Sequence, residues 1–290
     1  MGYFEVIRRY RKAYRNWYTV LYAVYRGGRT RINTRPKSMS SSLKLDSSTT
    51  SILTYFPASS LSPDLLSISF NFKGTDLKFR LRKSLDNFAN GDLVSVFLKR
   101  DYLWLDPKDE VVVDVGANIG DSAVYFALNG ARKIISLEPH PYVYELALEN
   151  VKANNLGDRI EIVNAGYGKD GAISVSCGET SVGSDLHIQQ RGKRIRLYSL
   201  KILIEKYNLM EPLIKMDCEG CEVNLLEESD DTLRQFKRMQ IEYHYGYEKL
   251  KERLERAGFD VNYTQPKRMN VYSVTNTKMI YGYIFATRQE

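Results

Sequence analysis

At 290 residues, 43% hydrophobic and 27% charged, the chain is long enough to bury one large core and to carry an accessory segment besides. No apolar run approaches the roughly 20 residues of a membrane span. The N-terminus lacks the uninterrupted hydrophobic stretch of a signal peptide, so the expected address is cytoplasmic. Three cysteines, Cys177, Cys218 and Cys221, are too few for a disulfide framework and fit a reducing interior.

The net charge of +7 is unevenly distributed. Within residues 1–35 nine arginines and lysines face Glu5 alone, a surplus of +8, which leaves −1 for the remainder. Residues 1–37 read as a basic, aromatic helical arm. Phe4, Ile7, Tyr14, Tyr18, Leu21, Tyr22 and Tyr25 recur there at three- and four-residue steps, and Gly27 and Gly28 end the helix. Three roles fit: a helix laying its aromatic stripe on the domain, a peripheral helix at the inner face of a membrane, or a nucleic-acid contact. Nucleic acid ranks lowest, because no basic surplus elsewhere continues a phosphate track. Residues 38–62, with the run SMSSSLKLDSSTTS, read as a flexible Ser-rich linker. In residues 63–90, Ile68, Phe70 and Phe72 alternate with polar residues, Lys73 to Asp76 turn, and Leu77, Phe79 and Leu81 alternate again, a β-hairpin.

Residues 91–290 make the main domain, and Val111 to Pro141 is its most informative stretch. Val111, Val112 and Val113 form a β-branched run suited to a buried parallel strand, and Gly116, Asn118 and Gly120 fill a turn where backbone must come close to a ligand. Residues 121–129 have helical spacing, with Ala123, Phe126 and Ala127 on one side, and Lys133 to Leu137 is the next strand. Glu138 ends it, twenty-two residues past Gly116, where an acid accepts hydrogen bonds from ribose hydroxyls. The turn is D-x-G-x-x-x-G, from Asp114 through Gly116 to Gly120, without the full glycine set that seats a pyrophosphate. An acid on the incoming strand suits a cation or an amino group better than a diphosphate. S-adenosylmethionine has an ammonium, a sulfonium and no phosphate, so it fits better than a nicotinamide or a flavin.

Pro141 to Asn155 reads as a helix and Arg159 to Asn164 as the third strand. Open α/β sheets bind ligands outside the carboxyl ends of their strands, so Asp114, Glu138, Asn164, Asp217 and Glu242 are expected along one edge. Asn164 serves equally as an adenine contact or as a loop cap. Leu213, Ile214 and Met216 form a strand ending in Asp217, Cys218, Glu219 and Gly220, and Met239 to His244 forms another that presents Glu242 and His244. Methyl transfer needs an aligned acceptor and a group to take its proton. His244 suits that base, oriented by Glu242, with Asp217 or Glu219 placing the acceptor. A divalent ion held by Asp217, Glu242 and His244 is a second mechanism, ranked below the plain base, and no metal is predicted. Cys218 and Cys221 lack two further zinc ligands and read as small buried residues at a turn, and His140 and His187 as satisfied loop histidines. Tyr247 to Ala257 is a helix, followed by strands at Phe259–Tyr263, Asn270–Val274 and Lys278–Ala286, the last two a hairpin through Thr275 to Thr277.

Four blocks, VVVDVGANIGDSAVYFALNGARKIISLEP, IEIVNAGYG, LIKMDCEGCEVNLLE and IEYHYGYEKLKERLERAGFDV, resemble the FkbM-type methyltransferases, archaeal members above all, from about Gly91 to Phe285. The resemblance implies a class I, Rossmann-like α/β fold: a mostly parallel seven-stranded sheet with an antiparallel last strand. It also implies S-adenosylmethionine as methyl donor and, in most members, an oxygen of a glycan or other hydroxylated small molecule as acceptor. Asp114, Gly116, Asn118, Gly120 and Glu138 would then contact the cofactor, Asn164 and Ala165 would lie near its adenine, and Asp217, Glu219, Glu242 and His244 would face the reaction centre. In the family such a hairpin precedes the catalytic domain. The runners-up are an RNA methyltransferase recruited by the arm and a non-catalytic membrane-associated binding protein.

Overall fold

The chain divides into two units, Met1–Lys99 and Arg100–Glu290. The computed structural model describes residues 2–26, 31–56, 60–61, 65–84, 87–88, 92–175, 192–272 and 278–289. Cys177, His187, Gly27, Gly28 and the turn at Thr275–Thr277 lie outside the described residues.

In the first unit the arm is two helices, α1 (Tyr3–Ala13) and α2 (Trp17–Arg26), where the spacing predicts one. The break has a physical cause. Tyr14 takes extended backbone, is fully buried, donates its hydroxyl to the Thr50 carbonyl at 2.7 Å and bridges to Pro36. Tyr10, Ala13, Tyr14 and Val20 therefore face inward, while Phe4, Tyr18, Tyr22 and Tyr25 are exposed. The described part of the predicted linker, residues 38–62, carries regular structure as well. Strand β1 (Ile32–Thr34) pairs antiparallel with β2 (Leu43–Leu45), and α3 (Ser47–Tyr55) starts at Asp46, whose carboxylate accepts the Thr49 N–H at 2.9 Å. The composition that suggested a linker supplies a helix cap: Thr49, Thr50 and Thr54 are buried, and their hydroxyls bond to Asp46 and Ser51. Strands β3 (Ser60–Leu61), β4 (Leu65–Phe72), β5 (Thr75–Ser84) and β6 (Asn87–Phe88) form an antiparallel sheet in that order. The predicted hairpin is β4–β5. Phe97, on the helical turn Val94–Lys99, packs on Phe70, Phe72 and Phe79, which carries this unit to Lys99 instead of ending it at residue 90.

The second unit opens with β7 (Val111–Val115), α4 (Asp121–Leu128), β8 (Lys133–Leu137), α5 (Pro141–Ala153) and β9 (Ile160–Val163), in the predicted order. Helix α4 is buried along all of Asp121–Ala127, although its spacing suggests a single apolar side. An unanticipated small sheet follows, in which β10 (Ala165–Tyr167) and β11 (Gly171–Val175) flank β12 (Lys193–Tyr198). Then come α6 (Leu200–Tyr207), β13 (Leu213–Met216), α7 (Asp230–Leu233), β14 (Arg238–Tyr243), α8 (Glu248–Arg256), β15 (Phe259–Tyr263), β16 (Lys267–Tyr272) and β17 (Lys278–Arg288). The main sheet has the order β15-β17-β14-β13-β7-β8-β9, with β16 also paired to β17. All neighbours from β14 to β9 run parallel, and β17 is antiparallel to both β14 and β15. This is the class I arrangement, mostly parallel with an antiparallel last strand. Val112, Val113, Ile134, Ile135, Ile214, Met239 and Ile241 are buried in it, as a sheet covered on both faces requires. The chain runs outward from β7 through β8 to β9, then returns to β13 on the other side of β7. The carboxyl ends of the strands therefore diverge between β7 and β13, the place where such sheets hold ligands. No described helix is long and apolar enough to cross a membrane.

Candidate active site at the strand ends

The glycine turn after β7 is shaped by the protein's own backbone. A Cβ at Gly116, whose φ is +83°, would lie 1.8 Å from the carbonyl oxygen of Asp217, and one at Gly120, φ +85°, would sit 3.3 Å from that of Ala147. These glycines thus admit the end of β13 and helix α5. Asn118 stands at φ +47°, a left-handed conformation that asparagine tolerates better than other side chains.

Asp114 also departs from expectation. It is fully buried, with Oδ1 3.0 Å from the Lys215 ammonium and Oδ2 accepting from the hydroxyls of Ser122 at 2.7 Å and Ser136 at 3.1 Å. The cation this acid was expected to meet is the protein's own Lys215. Burial pulls Lys215 down, but Asp114 and Asp217 outweigh it and hold the ammonium above its ordinary pKa. Lys215 also donates to the Gly116 carbonyl at 2.6 Å, tying β13 to the turn. Sequence reasoning missed this residue, although a lone lysine inside the apolar strand L-I-K-M was its signal.

Glu138 ends β8 and turns toward the glycine turn. Its Oε2 accepts the Asn118 N–H and its Oε1 the His140 N–H, each at 2.9 Å. Burial pushes its carboxyl up to about 7, against the lowering effect of those two N–H bonds. Asn164 donates its amide to the carbonyls of Glu138 at 2.9 Å and Pro139 at 3.1 Å, so it fixes this corner, and the buried Ala165 begins β10.

The ends of β13 and β14 bring four acids around one histidine. His244 is 2% exposed, with Nε2 3.4 Å from Glu219 and 3.9 Å from Glu242. Its Nδ1 lies 3.4 Å from Oε1 of Glu222, which also accepts the His244 backbone N–H at 2.9 Å. Burial lowers the imidazole, but Glu222, Glu219 and Asp217 prevail and push it up to about 9. Glu242 is pushed up to about 8 by burial and then by Asp217, with the Tyr283 hydroxyl bonded to it. Tyr102 donates to Asp217 Oδ2 at 3.0 Å. Glu222, Tyr102 and Tyr283 were not foreseen. Glu222 is fully buried and also accepts the Gly220 N–H at 2.8 Å, so it holds both the turn after β13 and the histidine. Asp217, Glu242 and His244 bring ligand atoms within 4.8 Å of one another, a set able to hold a divalent ion. Cys218 and Cys221 are joined by a disulfide across the turn that carries Glu219, a correction to their reading as buried free thiols.

Comparison with known proteins gives short sequence matches and longer structural ones. Over 56 residues the chain is 38% identical to the tRNA(Phe) (4-demethylwyosine(37)-C(7)) aminocarboxypropyltransferase of Pyrococcus horikoshii, covering 19% of this chain and 20% of that protein. Over 78 residues it is 43% identical to the ribosomal protein L11 methyltransferase of Carboxydothermus hydrogenoformans, covering 26% of this chain and 25% of that one. The chain thus spans a fifth to a quarter of the length of these curated relatives. The crystal structure of M. jannaschii TYW2 in complex with AdoMet aligns at 15% identity over 79% of this chain and 90% of that chain, with a TM-score of 0.42. The methyltransferase FkbM domain model matches residues 114–261, from Asp114 in β7 to Val261 in β15 and just over half of the chain. With that match laid on the strand order described above, the chain belongs to the FkbM methyltransferase domain family.

Proposed function

We propose that this protein transfers a methyl group from S-adenosylmethionine to a hydroxyl of a sugar, a glycan or another hydroxylated small molecule. The observation that carries the reading is the cluster of carboxyl groups at the strand ends: Glu138 after β8, and Asp217, Glu219 and Glu242 around His244. Such groups accept hydrogen bonds from a ligand's ammonium and from ribose hydroxyls. When bound, S-adenosylmethionine supplies an electrophilic methyl group on positively charged sulfur.

The chain's own residues supply the rest. Glu138 retains lone pairs beyond its two N–H bonds and accepts the ribose hydroxyls. Gly116, Asn118 and Gly120 shape the floor of the site, and Asn164 and Ala165 border the adenine. With the donor bound, Asp217 or Glu219 would place the acceptor hydroxyl and His244 would take its proton at Nε2. Glu222, against Nδ1, holds the ring in orientation together with Glu242. Because His244 sits at about 9, it accepts protons better as pH rises.

An RNA acceptor is the second reading, favoured by the tRNA-modifying relative over 56 residues and by the basic arm. The acid-lined strand ends weigh against it, since they repel a phosphodiester backbone. Incubating cell extract with methyl-labelled donor tests both. Label in a hydroxylated small-molecule or glycan fraction, lost with His244→Ala while donor affinity survives, is the expected result. Label in RNA assigns the second reading, and unchanged turnover of His244→Ala removes that residue from the mechanism.

A further inference from the structure

We propose that the first unit docks on an anionic lipid bilayer through one face of α2 and the basic residues flanking it. Helix α2 has no charged residue from Trp17 to Tyr25. Its buried residue is Val20, whereas Tyr18, Tyr22 and Tyr25, spaced by four and three, are 63%, 61% and 88% exposed. At about 100° per residue these three tyrosines fall within an arc of roughly 60° on the side opposite Val20. The solvent side of a helix ordinarily carries charge, and here it carries aromatic rings. Tyr3 and Phe4 on α1 add further aromatic surface at 75% and 87% exposure.

Charge brackets this face instead of crossing it. Arg11, Lys12 and Arg15 precede α2, Arg26 ends it, and all four are exposed. The Arg26 guanidinium lies 5.6 Å over the Tyr22 ring, as a cation at headgroup level above an interfacial aromatic would. The surplus of +8 in residues 1–35, against −1 for the rest, gives the matching attraction to an anionic leaflet. Nucleic-acid bases also stack on tyrosine. However, a strand following this stripe meets no cation for its phosphates between Trp17 and Tyr25, whereas a bilayer needs cations only at the margins and amphipathic rings between them.

Flotation of the full chain with phosphatidylcholine vesicles, with and without phosphatidylserine, at low and high salt, tests the proposal. Enrichment on the anionic vesicles at low salt is expected, and its loss at high salt. The combined variant Tyr18→Ser, Tyr22→Ser, Tyr25→Ser should partition less. Lys12→Ser with Arg15→Ser should lower partitioning by about fivefold for each basic residue removed. Both variants should keep the wild-type melting temperature, since every altered side chain is exposed. Equal recovery with neutral and anionic vesicles, or full partitioning of the tyrosine variant, overturns the proposal. Binding of a polyribonucleotide that the same variants abolish, without vesicle enrichment, reassigns the face to RNA.

Discussion

His244 has an acid at each nitrogen, and the two sides have different consequences. The carboxyl groups of Glu219 and Glu242 face Nε2, whereas Glu222 faces Nδ1 from a fully buried position. Its folded pKa of about 9 stands above the ordinary 6.5. The stability that the raised His244 pKa contributes is therefore complete below about 6.5 and fades as pH rises through about 9. Replacing Glu222 with Gln removes one anion, so the imidazole falls and the rising limb of the pH–rate profile moves about a unit or more toward acid. A residue with a merely structural role would lower turnover at every pH and leave the midpoint in place. At this scale the sequence revealed the acids at strand ends, because each stands after an apolar run. It hid Glu222, which falls inside a short helical turn, and it misassigned Asp114, whose partner is a lysine a hundred residues later.

Between elements, the tie that matters most joins β7 to β13. Asp114 and Lys215 are register partners across these strands, and their side chains meet with almost no solvent exposure. Removing one member of such a pair leaves a buried charge uncompensated, so Lys215→Met should destabilise the chain by about 3–5 kcal/mol in denaturant unfolding. Adding Asp114→Asn should recover much of that loss, and a simple sum of two losses would contradict the pairing. The β-branched strands and the helices between them were legible because their periodicity and length agree. Strands β10 to β12 were not, because Ala165–Tyr167 is too short to show alternation and Lys193–Tyr198 is half charged. Helix α3 escaped notice because its Ser and Thr residues have weak helix propensity, and its form depends on the Asp46 cap and on burial. The Cys218–Cys221 disulfide depends on a Cα separation of 5.5 Å, which no spacing rule supplies.

Across the whole molecule, charge is unevenly divided: the surplus of +8 lies in residues 1–35, and acids gather at the strand ends of the second unit. The alternation of strands and helices after Val111 was legible in the sequence, and the antiparallel last strand was what the resemblance implied. The folding of the described residues before Pro57 was not legible, since it rests on long-range burial of Tyr14 and on caps that composition disguises. The central claim is that the carboxylate-lined strand ends bind S-adenosylmethionine, with Glu138 on its ribose. Calorimetric titration of S-adenosylmethionine into the full chain and into Glu138→Ala tests it most directly. The account predicts saturable one-to-one binding to the wild type that the variant weakens by at least about tenfold, the scale of a charge-assisted hydrogen bond. Absence of binding to the wild type, or equal affinity in both proteins, would contradict it.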